Sequence, residues 1–289
     1  MEASNCDLCE REMSKPFIKY DFQAFPCCVS ICMNCGLVKL NPRWKESQYR
    51  RFYSKKYDFF YRGSNMSVDE LFEIDIASKG LRMTDRLRYA ELPEKVKMLD
   101  IGAGTGFSFF SLPGNIHVDP YAVEASNKCI PFLKSKGISI IGDDFSSDLG
   151  GGYDLIVARH VLEHVMNPIS FLMKIGNSLR KNGYLYLAVP NAMVINKTKA
   201  HSFFRHIHTY YFNIGTLLQM CKRAGMYAVQ QGEEGEIWAL LQRKETNNTI
   251  RNVSPSDQLK TIMDITRYHR FSLKSRLKAR LRRIRYCAF

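Results

Sequence analysis

Short apolar runs alternate with amphipathic segments between about residue 66 and residue 245. Buried strands are predicted at VKMLDIG, NIHVD, ISIIG, YDLIVAR and GYLYLAVP, and helices at segments such as VEASNKCIPFLKSKG and NPISFLMKIGNSLRKN. This alternation is typical of a doubly wound parallel sheet of the α/β class. A last pair of apolar runs, MYAVQQ and IWALLQRK, is joined by GEEGE. The pattern therefore predicts a sheet of seven strands whose last hairpin is antiparallel.

Three segments are expected from the change of composition along the chain. Residues 1–64 form a small module and linker, residues 65–245 the α/β domain, and residues 246–289 a linker and a basic helix. No apolar run approaches the roughly 18 residues of a membrane-spanning helix. The polar, acidic N-terminus is unlike a secretory signal. We therefore expect a cytoplasmic protein, where cysteines bind metals more readily than they form disulfides.

Cysteines are concentrated at the N-terminus, where two Cys-x-x-Cys pairs, CDLC and CMNC, lie 22 residues apart. Each pair can form a tight knuckle, and two knuckles supply four thiolates in the tetrahedral array that Zn²⁺ prefers. We predict a structural zinc site formed by Cys6, Cys9, Cys32 and Cys35. The neighbouring Cys27 and Cys28 complicate this assignment, because Cys28 could replace Cys32.

Three glycines follow the first strand at alternate positions, in the stretch DIGAGTGF. Gly102, Gly104 and Gly106 differ from the dinucleotide fingerprint, in which Phe107 would be the third glycine. No phosphate-binding G-K-[ST] sequence follows. The loop therefore allows close approach of a ligand to the backbone without being built for a pyrophosphate.

Acidic residues are predicted at the ends of three consecutive strands. Asp100 ends the first strand, where a carboxylate would attract a cation, and Asp119 ends the second, 17 residues after Gly102. Asp143 and Asp144 end the third. Acids in these places suit a ligand that has a ribose, an adenine amine and a positive charge but no phosphate.

With these features, residues 96–245 resemble a class I S-adenosylmethionine-dependent methyltransferase, which has a Rossmann-like fold. The resemblance is carried by LDIGAGTG, HVDPYAVEASNKC, IIGDDF, YDLIVARHVLEHVMNP, LRKNGYLYLAVPN and HTYYFNIGTLLQMCKRAGM. It implies that the backbone around Gly102 and Gly104 holds the methionine part, Asp119 the ribose hydroxyls and Asp143 the adenine amine. The full set of expected cofactor contacts is Asp100, Gly102, Ala103, Gly104, Asp119, Pro120, Asp143, Asp144 and Arg159.

The cysteine-rich head on such a domain resembles sugar methyltransferases that act in the synthesis of surface polysaccharides and antibiotic sugars. The best-known of these methylate carbon on nucleotide-linked keto sugars and carry a third domain, for which this chain has only a linker and a basic helix. The resemblance implies a sugar, nucleotide-sugar or lipid-linked glycan acceptor. Whether oxygen, carbon or nitrogen receives the methyl group stays open.

A hydroxyl acceptor requires a general base, and histidine is the usual one because its pKa lies near working pH. Three histidines are candidates. His160 follows the fourth strand, at the edge where doubly wound sheets bind ligands. His208 lies in RHIHTYYF, where the family often has a histidine before an aromatic pair, and His206 is its close alternative. Tyr210 and Tyr211 form either a wall of the acceptor site or part of the core.

The net charge of +14 is concentrated in the tail, which has nine Lys or Arg between Arg267 and Arg285 and no acidic residue. Leu273, Leu277, Leu281 and Ile284 form an apolar stripe on this basic helix. Residues 265–289 are therefore expected either to contact an anionic membrane surface from the cytoplasmic side or to dock on the protein.

The alternative function is a zinc-containing RNA base methyltransferase, which the basic tail would suit. Against this, ARHV stands where many amino-methylating enzymes have an Asn/Asp-Pro-Pro-aromatic motif. Nucleic acid is therefore the less favoured partner. A binding module without catalysis is disfavoured by the intact glycine loop.

Overall fold

The structure is a computed structural model that describes residues 1–21, 25–55, 66–144, 146–194, 203–243 and 254–267. It divides into two compact units. The large unit comprises residues 50–189 and 220–249, and the small unit combines residues 1–49 and 190–219 with the segment from residue 250 onward. The units therefore differ from the three consecutive segments expected from composition, because the small unit draws on three separate parts of the chain.

The strands and helices are numbered here in chain order. The strands are β1 (Ile18–Tyr20), β2 (Pro26–Ile31), β3 (Val38–Leu40), β4 (Lys95–Ile101), β5 (His117–Val123), β6 (Ser139–Gly142), β7 (Tyr153–Arg159), β8 (Leu179–Val189), β9 (Tyr210–Tyr211), β10 (Tyr227–Gly232) and β11 (Ile237–Gln242). The α-helices are α1 (Glu46–Lys55), α2 (Val68–Asp75), α3 (Leu81–Leu87), α4 (Cys129–Ser135), α5 (Pro168–Ser178), α6 (Ile214–Arg223) and α7 (Pro255–Arg267). A π-helical turn, Ile76–Gly80, joins α2 to α3.

The large unit is built on a seven-stranded sheet in the order β10-β11-β8-β7-β4-β5-β6. The five strands from β8 to β6 are parallel, whereas β11 runs antiparallel to β8 and to β10. This confirms the predicted α/β fold with a final antiparallel hairpin. The central β7 is buried at every residue except Arg159, as expected for a strand covered on both faces.

The second strand of this sheet is longer than the sequence predicts, and the expectation that it ends at Asp119 is wrong. β5 continues to Val123, with Asp119 opposite Lys97 and Val123 opposite Ile101. Pro120 suggests a strand end because it has no N–H to donate. It is tolerated because pairing with β6 begins only at Tyr121.

The fifth parallel strand also begins earlier than predicted. The helical pattern NPISFLMKIGNSLRKN ends as α5 at Ser178, and β8 starts at Leu179. Asn167 caps this helix through its side chain, which accepts from Ser170 N, and Pro168 occupies the first turn. The helices cover the sheet over an apolar core that includes Leu155, Val157, Tyr186 and Leu240.

The small unit has a four-stranded sheet in the order β1-β2-β3-β9, and all its strand pairs are antiparallel. Val29, Ile31 and Tyr211 form its core together with Ile262 from α7. Residues 255–264 were expected to form a linker, but they belong to this helix. The predicted basic helix lies outside the described residues from residue 268 onward. None of the described helices has the length and apolar character needed to cross a membrane.

Candidate functional site

The glycine loop after β4 leaves its backbone accessible to a ligand at Gly104. Gly106 has φ +72° and packs inward, since a Cβ there would lie 2.6 Å from the Leu133 side chain. Gly104 has φ +57°, and a Cβ there would meet only the Gly102 carbonyl oxygen, at 4.0 Å. Of the two, Gly104 therefore leaves its backbone open to a ligand at the carboxyl edge of the sheet.

Glu124 follows β5 and lies against this loop, in the place where the sequence analysis expected Asp119. Its carboxylate is buried and accepts hydrogen bonds from Gly104 N and Ser126 N, both at 2.7 Å. Asp119 lies four residues before the end of β5, roughly 13 Å away at the rise of a strand. Its side chain interacts with Tyr121, whose pKa it raises. The signal for Glu124 was the apolar continuation of the strand through Ala122 and Val123.

The other predicted acids occupy different environments. Asp100 is buried beneath the loop and accepts from the Ser108 hydroxyl, and burial raises its pKa to about 7. A carboxyl group that is partly protonated at neutral pH is a poor attractor of a cation. Asp143 is exposed just after β6, whereas Asp144 accepts from Ser146 N at 2.7 Å in a local turn.

Two further predicted contacts, Ala103 and Pro120, have mainly structural positions. Ala103 is buried within the loop, and its N–H lies 3.4 Å from the Val123 carbonyl oxygen. Pro120 lies within β5, opposite Met98. Neither is at the open part of the glycine loop formed by Gly104.

A second loop residue, Thr105, is held by the π-helical turn. Its hydroxyl donates to Asp75 at 2.9 Å, and Lys79, one turn further on, forms an ion pair with the same carboxylate. Helix α2 is well anchored at its start, where Ser67 and Glu70 form a capping box. Short π-helical segments are frequent at functional sites. The turn therefore supports the glycine loop from its side.

His160 stands directly after β7, at the carboxyl edge of the sheet, with the left-handed φ of +56°. Its backbone N–H donates to Ala188 O at 2.8 Å, and its ring Nε2 lies 2.7 Å from Glu236 Oε2. Partial burial lowers the pKa of this imidazole, and the bond to Glu236 offsets the effect only in part. The ring is therefore largely neutral near pH 7, which is the form that can accept a proton.

Arg159 also binds Glu236, through Nη2 at 2.8 Å, and its guanidinium lies 5.9 Å from the centre of the Phe107 ring. It was expected to contact the cofactor. The structure pairs it with the buried Glu236 carboxylate, and its contact with the cofactor stays a prediction. Sequence reasoning missed Glu236, because GEEGE reads as a solvated hairpin turn.

The two other candidate histidines belong to the small unit. His206 is fully buried, with Nδ1 2.6 Å from Asp21 Oδ2 and the ring centre 4.2 Å from that of Phe25. A histidine enclosed in this way stabilises the fold and has no surface for an acceptor. His208 is half-buried, with its ring 6.0 Å from Tyr211.

Tyr210 and Tyr211 are core residues of the small unit, which decides between the two alternatives left by the sequence. Tyr210 is fully buried, stacks on Phe212 and accepts a hydrogen bond from Arg43 at 3.0 Å. The Tyr211 hydroxyl donates to Arg205 O and accepts from Arg205 N, both at 2.9 Å.

The four predicted cysteines converge in the small unit. The sulfur atoms of Cys6, Cys9, Cys32 and Cys35 all lie within 4.8 Å of one another. The hydrogen bond with the Cys35 thiol lowers the pKa of Cys6 to about 5, so that a thiolate forms readily. Cys28 is not in this cluster, and the arrangement is compatible with zinc.

A buried lysine fixes the first of the two cysteine knuckles. Lys39 of β3 donates to Ser4 Oγ at 2.9 Å and to Asp7 Oδ2 at 2.7 Å, and its ammonium group is inaccessible to solvent. Its third bond goes to the Asn5 carbonyl oxygen. All three ammonium protons are therefore used, and they tie the segment around Cys6 to the sheet.

The strand order, the glycine loop and the carboxyl-edge site together define a class I methyltransferase. Residues 75–231, more than half of the chain, match the model of the family described as a methyltransferase domain. The chain belongs to this family and is an S-adenosylmethionine-dependent methyltransferase. None of the curated proteins matches the chain.

Solved structures with a similar fold include several methyltransferases. One is an S-adenosylmethionine-dependent methyltransferase from Thermotoga maritima, with 15% identity over 66% of this chain and 100% of that chain and a TM-score of 0.48. Mitomycin 7-O-methyltransferase MmcR has 13% identity over 68% of this chain and 66% of its own, with a TM-score of 0.46. PigF with SAH has 15% identity over 70% and 71%, with a TM-score of 0.46.

Proposed function

We propose that the enzyme methylates a hydroxyl group of a sugar or surface-glycan precursor. The observation that carries this proposal is the neutral His160, paired with Glu236 at the carboxyl edge of the sheet. S-adenosylmethionine, when bound, supplies a methyl group on a good leaving group. The protein must then position the acceptor, exclude water and take up the hydroxyl proton. A hydroxyl acceptor needs a general base for this last task, and the neutral His160 can serve as one.

The described residues fit the cofactor at the open part of the glycine loop. The backbone at Gly104 can receive the amino-acid part, since no other atom would lie within 4 Å of a Cβ there except Gly102 O at that limit. Glu124, rather than Asp119, is the proposed acceptor for the ribose hydroxyls, because its carboxylate lies at the end of β5 and is bound to Gly104 N of the glycine loop. The exposed Asp143 is proposed to face the adenine amine.

His160 is the proposed catalytic base. It lies at the same edge as the loop, where a Cβ on Gly102 would be 2.8 Å from the adjacent Val161 side chain. His206 is excluded from this role by its burial against Asp21. His208 is proposed as the acceptor-side histidine that the family resemblance implies, and His208→Ala tests this through the KM for the acceptor.

Zinc is the proposed metal of the cysteine cluster, in a structural site. Four protein thiolates complete the tetrahedral coordination and leave no position for a substrate. Metal analysis of the purified protein should give about one zinc per chain. A Cys6→Ser/Cys9→Ser double variant should lose this metal, whereas Cys28→Ser should retain it. Stoichiometric zinc in the double variant would reject the four ligands.

The glycan acceptor is supported by the resemblance of the cysteine-rich head to sugar methyltransferases. The test incubates the purified enzyme with cofactor labelled in its methyl group and with separate lipid-linked saccharide, nucleotide-sugar, polysaccharide and RNA fractions. Label is expected in a saccharide fraction and should be lost with His160→Ala. The matched control is His117→Ala, which changes an exposed histidine at the start of β5, away from the carboxyl ends of the strands. Labelled RNA would replace the proposal by the RNA alternative.

A cytoplasmic position at the inner face of a membrane is proposed for lipid-linked acceptors. The basic residues between Arg267 and Arg285 carry this proposal, since each Lys or Arg near an anionic surface contributes about 1 kcal/mol. A variant lacking residues 268–289 should keep its activity on a soluble acceptor and lose it on acceptors in anionic vesicles. Equal activity on both would contradict a membrane role.

A further inference from the structure

Glu236 binds two arginines and a histidine at the carboxyl edge of the large sheet. It stands directly before β11, which runs antiparallel to β8 with Ile237 opposite Val189. An antiparallel strand begins at the edge where its parallel neighbours end, so Glu236 lies beside the residues that follow β7. Only 6% of its surface is exposed.

Both oxygens of the Glu236 carboxylate are occupied by donors. Arg86 donates to Oε1 at 2.7 Å, and Arg159 donates to Oε2 at 2.8 Å. The Nε2 atom of His160 lies 2.7 Å from the same Oε2. Burial alone would raise the pKa of Glu236, but the hydrogen bond from His160 and the charge of Arg159 outweigh it and hold the pKa well below its usual range. Glu236 is therefore ionised.

An ionised carboxylate can only accept hydrogen bonds, so Nε2 of His160 must carry the proton in the neutral imidazole. The lone pair is then on Nδ1. Nδ1 lies 3.9 Å from Glu163 Oε1, which is too far for a hydrogen bond. Nδ1 is thus the ring nitrogen available to take a proton.

We infer that Glu236 is the positioning residue of the methyl-transfer site, because it fixes the tautomer of His160 and makes Nδ1 the proton-accepting atom. This rests on the proposed function only in taking His160 as the base. In the step, the proton of the acceptor hydroxyl goes to Nδ1. The electron pair of the oxygen forms the new bond to the methyl carbon, and the pair of the broken carbon–sulfur bond stays on sulfur.

The backbone of His160 gives independent support for this role. A non-glycine residue with φ +56° is in a sparsely populated region, which persists where its surroundings determine it. Here the backbone N–H is held by Ala188 O and the ring by Glu236. The strained turn aims the ring along the edge of the sheet.

The Glu236 carboxylate is held in place by the Arg86 guanidinium, which is itself fixed by further contacts. This guanidinium also donates to the Tyr186 hydroxyl at 2.9 Å and to Glu234 O at 2.8 Å, and it lies 5.1 Å from the centre of the Trp238 ring. The carboxylate cannot turn away without breaking a buried network. A residue of the β10–β11 turn thereby sets the geometry of His160, which directly follows β7.

Glu236→Gln changes this arrangement in a predictable direction. The amide has one NH₂ group. In place of Oε1 it would oppose both Arg86 Nη1 and Arg159 Nε, whereas in place of Oε2 the only arginine donor that it would oppose is Arg159 Nη2. Of the three partners of Glu236, only His160 can change from donor to acceptor. The NH₂ group should therefore face His160 and move its proton to Nδ1.

The experiment uses the full chain, labelled with ¹⁵N-histidine, without cofactor or acceptor. The His160 signals are assigned by their absence in His160→Asn, and the tautomer is read from the two ring nitrogens. We expect protonated Nε2 in the wild type and protonated Nδ1 in Glu236→Gln. The matched control is Glu234→Gln, which removes a neighbouring carboxylate bound to Trp238 Nε1 and should leave His160 unchanged. An unchanged His160 tautomer in Glu236→Gln would overturn the inference.

Turnover gives the second readout. Glu236→Gln should lower kcat on the order of a hundredfold, as for loss of a general base, with little change in the KM for the acceptor. Glu236→Asp keeps the charge, covers the case in which the amide variant does not fold, and should retain protonated Nε2. A protonated Nδ1 in Glu236→Asp would also overturn the inference. Undiminished turnover in His160→Ala would instead reject His160 as the base and leave the tautomer result standing.

Discussion

Two of the histidine–carboxylate pairs among the described residues, one in each unit, have nearly equal distances between their atoms. His206 Nδ1 lies 2.6 Å from Asp21, and His160 Nε2 lies 2.7 Å from Glu236. The surroundings differ. Phe25, Trp44 and Tyr49 contact His206, whereas two arginines bind the carboxylate that holds His160.

This difference in surroundings separates a structural pair from a candidate catalytic pair. The side chains of His206 and Asp21 have no solvent-accessible surface, whereas 39% of the His160 side chain is exposed. A base must reach the proton that it removes. The position of the histidine and its access to the acceptor are therefore considered before its pKa. The following predictions test this contrast, from the largest expected effect to the smallest.

The largest effect is expected from Asp21→Ala in the small unit. It removes the acceptor of three donors, namely Phe25 N, His206 N and His206 Nδ1. Loss of one partner of such a buried pair should lower the free energy of unfolding by about 3 kcal/mol. Urea unfolding followed by Trp44 fluorescence measures this, in a Trp238→Phe background that leaves Trp44 as the sole tryptophan. Unchanged stability would show that the pair is dispensable.

In the large unit, His160→Ala should instead reduce turnover. The expected loss is on the order of a hundredfold, the lower end for removal of a general base, while the affinity for S-adenosylhomocysteine stays nearly constant. Calorimetry and steady-state kinetics measure the two quantities, and His117→Ala is the control. A variant with full turnover would place the base elsewhere.

Two carboxylates near β5 can be compared in the same way, since Glu124 follows the end of the strand and Asp119 lies within it. Glu124→Gln should weaken S-adenosylhomocysteine binding about tenfold, since a hydrogen bond to a charged group typically contributes about 1.5 kcal/mol or more. Asp119→Asn should leave it unchanged, because that residue lies mid-strand opposite Lys97. The reverse result in calorimetry would restore Asp119 as the ribose contact.

The smallest effect concerns pH. Turnover requires neutral His160, so it should fall as the pH drops through the pKa of this residue, which lies below the ordinary value of 6.5. The charge of Arg159 contributes to that lowering, so Arg159→Met should move the acid limb of the pH profile to higher pH. The loss of turnover between pH 8 and pH 6 should therefore be greater in Arg159→Met than in the wild type. An acid limb displaced to lower pH would contradict the assignment.

The sequence predicted the fold well because the buried strands are nearly continuous apolar runs. β7 has the predicted bounds, and the final hairpin is antiparallel as expected. The predicted end of the second strand was wrong for a local reason. NIHVD was interpreted as the whole strand, but β5 continues through Pro120 to Val123, and its pairing with β6 begins only at Tyr121.

Long-range contacts were beyond a pattern-based prediction. The spacing of the cysteines predicted which four sulfur atoms converge, since each knuckle is local. The network of Glu236 joins residues 77 and 150 positions apart, and no local pattern in GEEGE signals it. The burial of His206 likewise depends on Asp21, which lies 185 positions earlier.

The small sheet has a consequence for the order in which the chain can fold during synthesis. Strand β3 emerges from the ribosome early, but its partner β9 follows only at Tyr210, and Ile262 of α7 completes the core later still. The N-terminal cysteines must therefore wait, without their final sheet, until most of the polypeptide has been made. A fragment that stops at residue 64 would lack that partner strand. Early metal capture by the two local knuckles would protect these thiols through the delay.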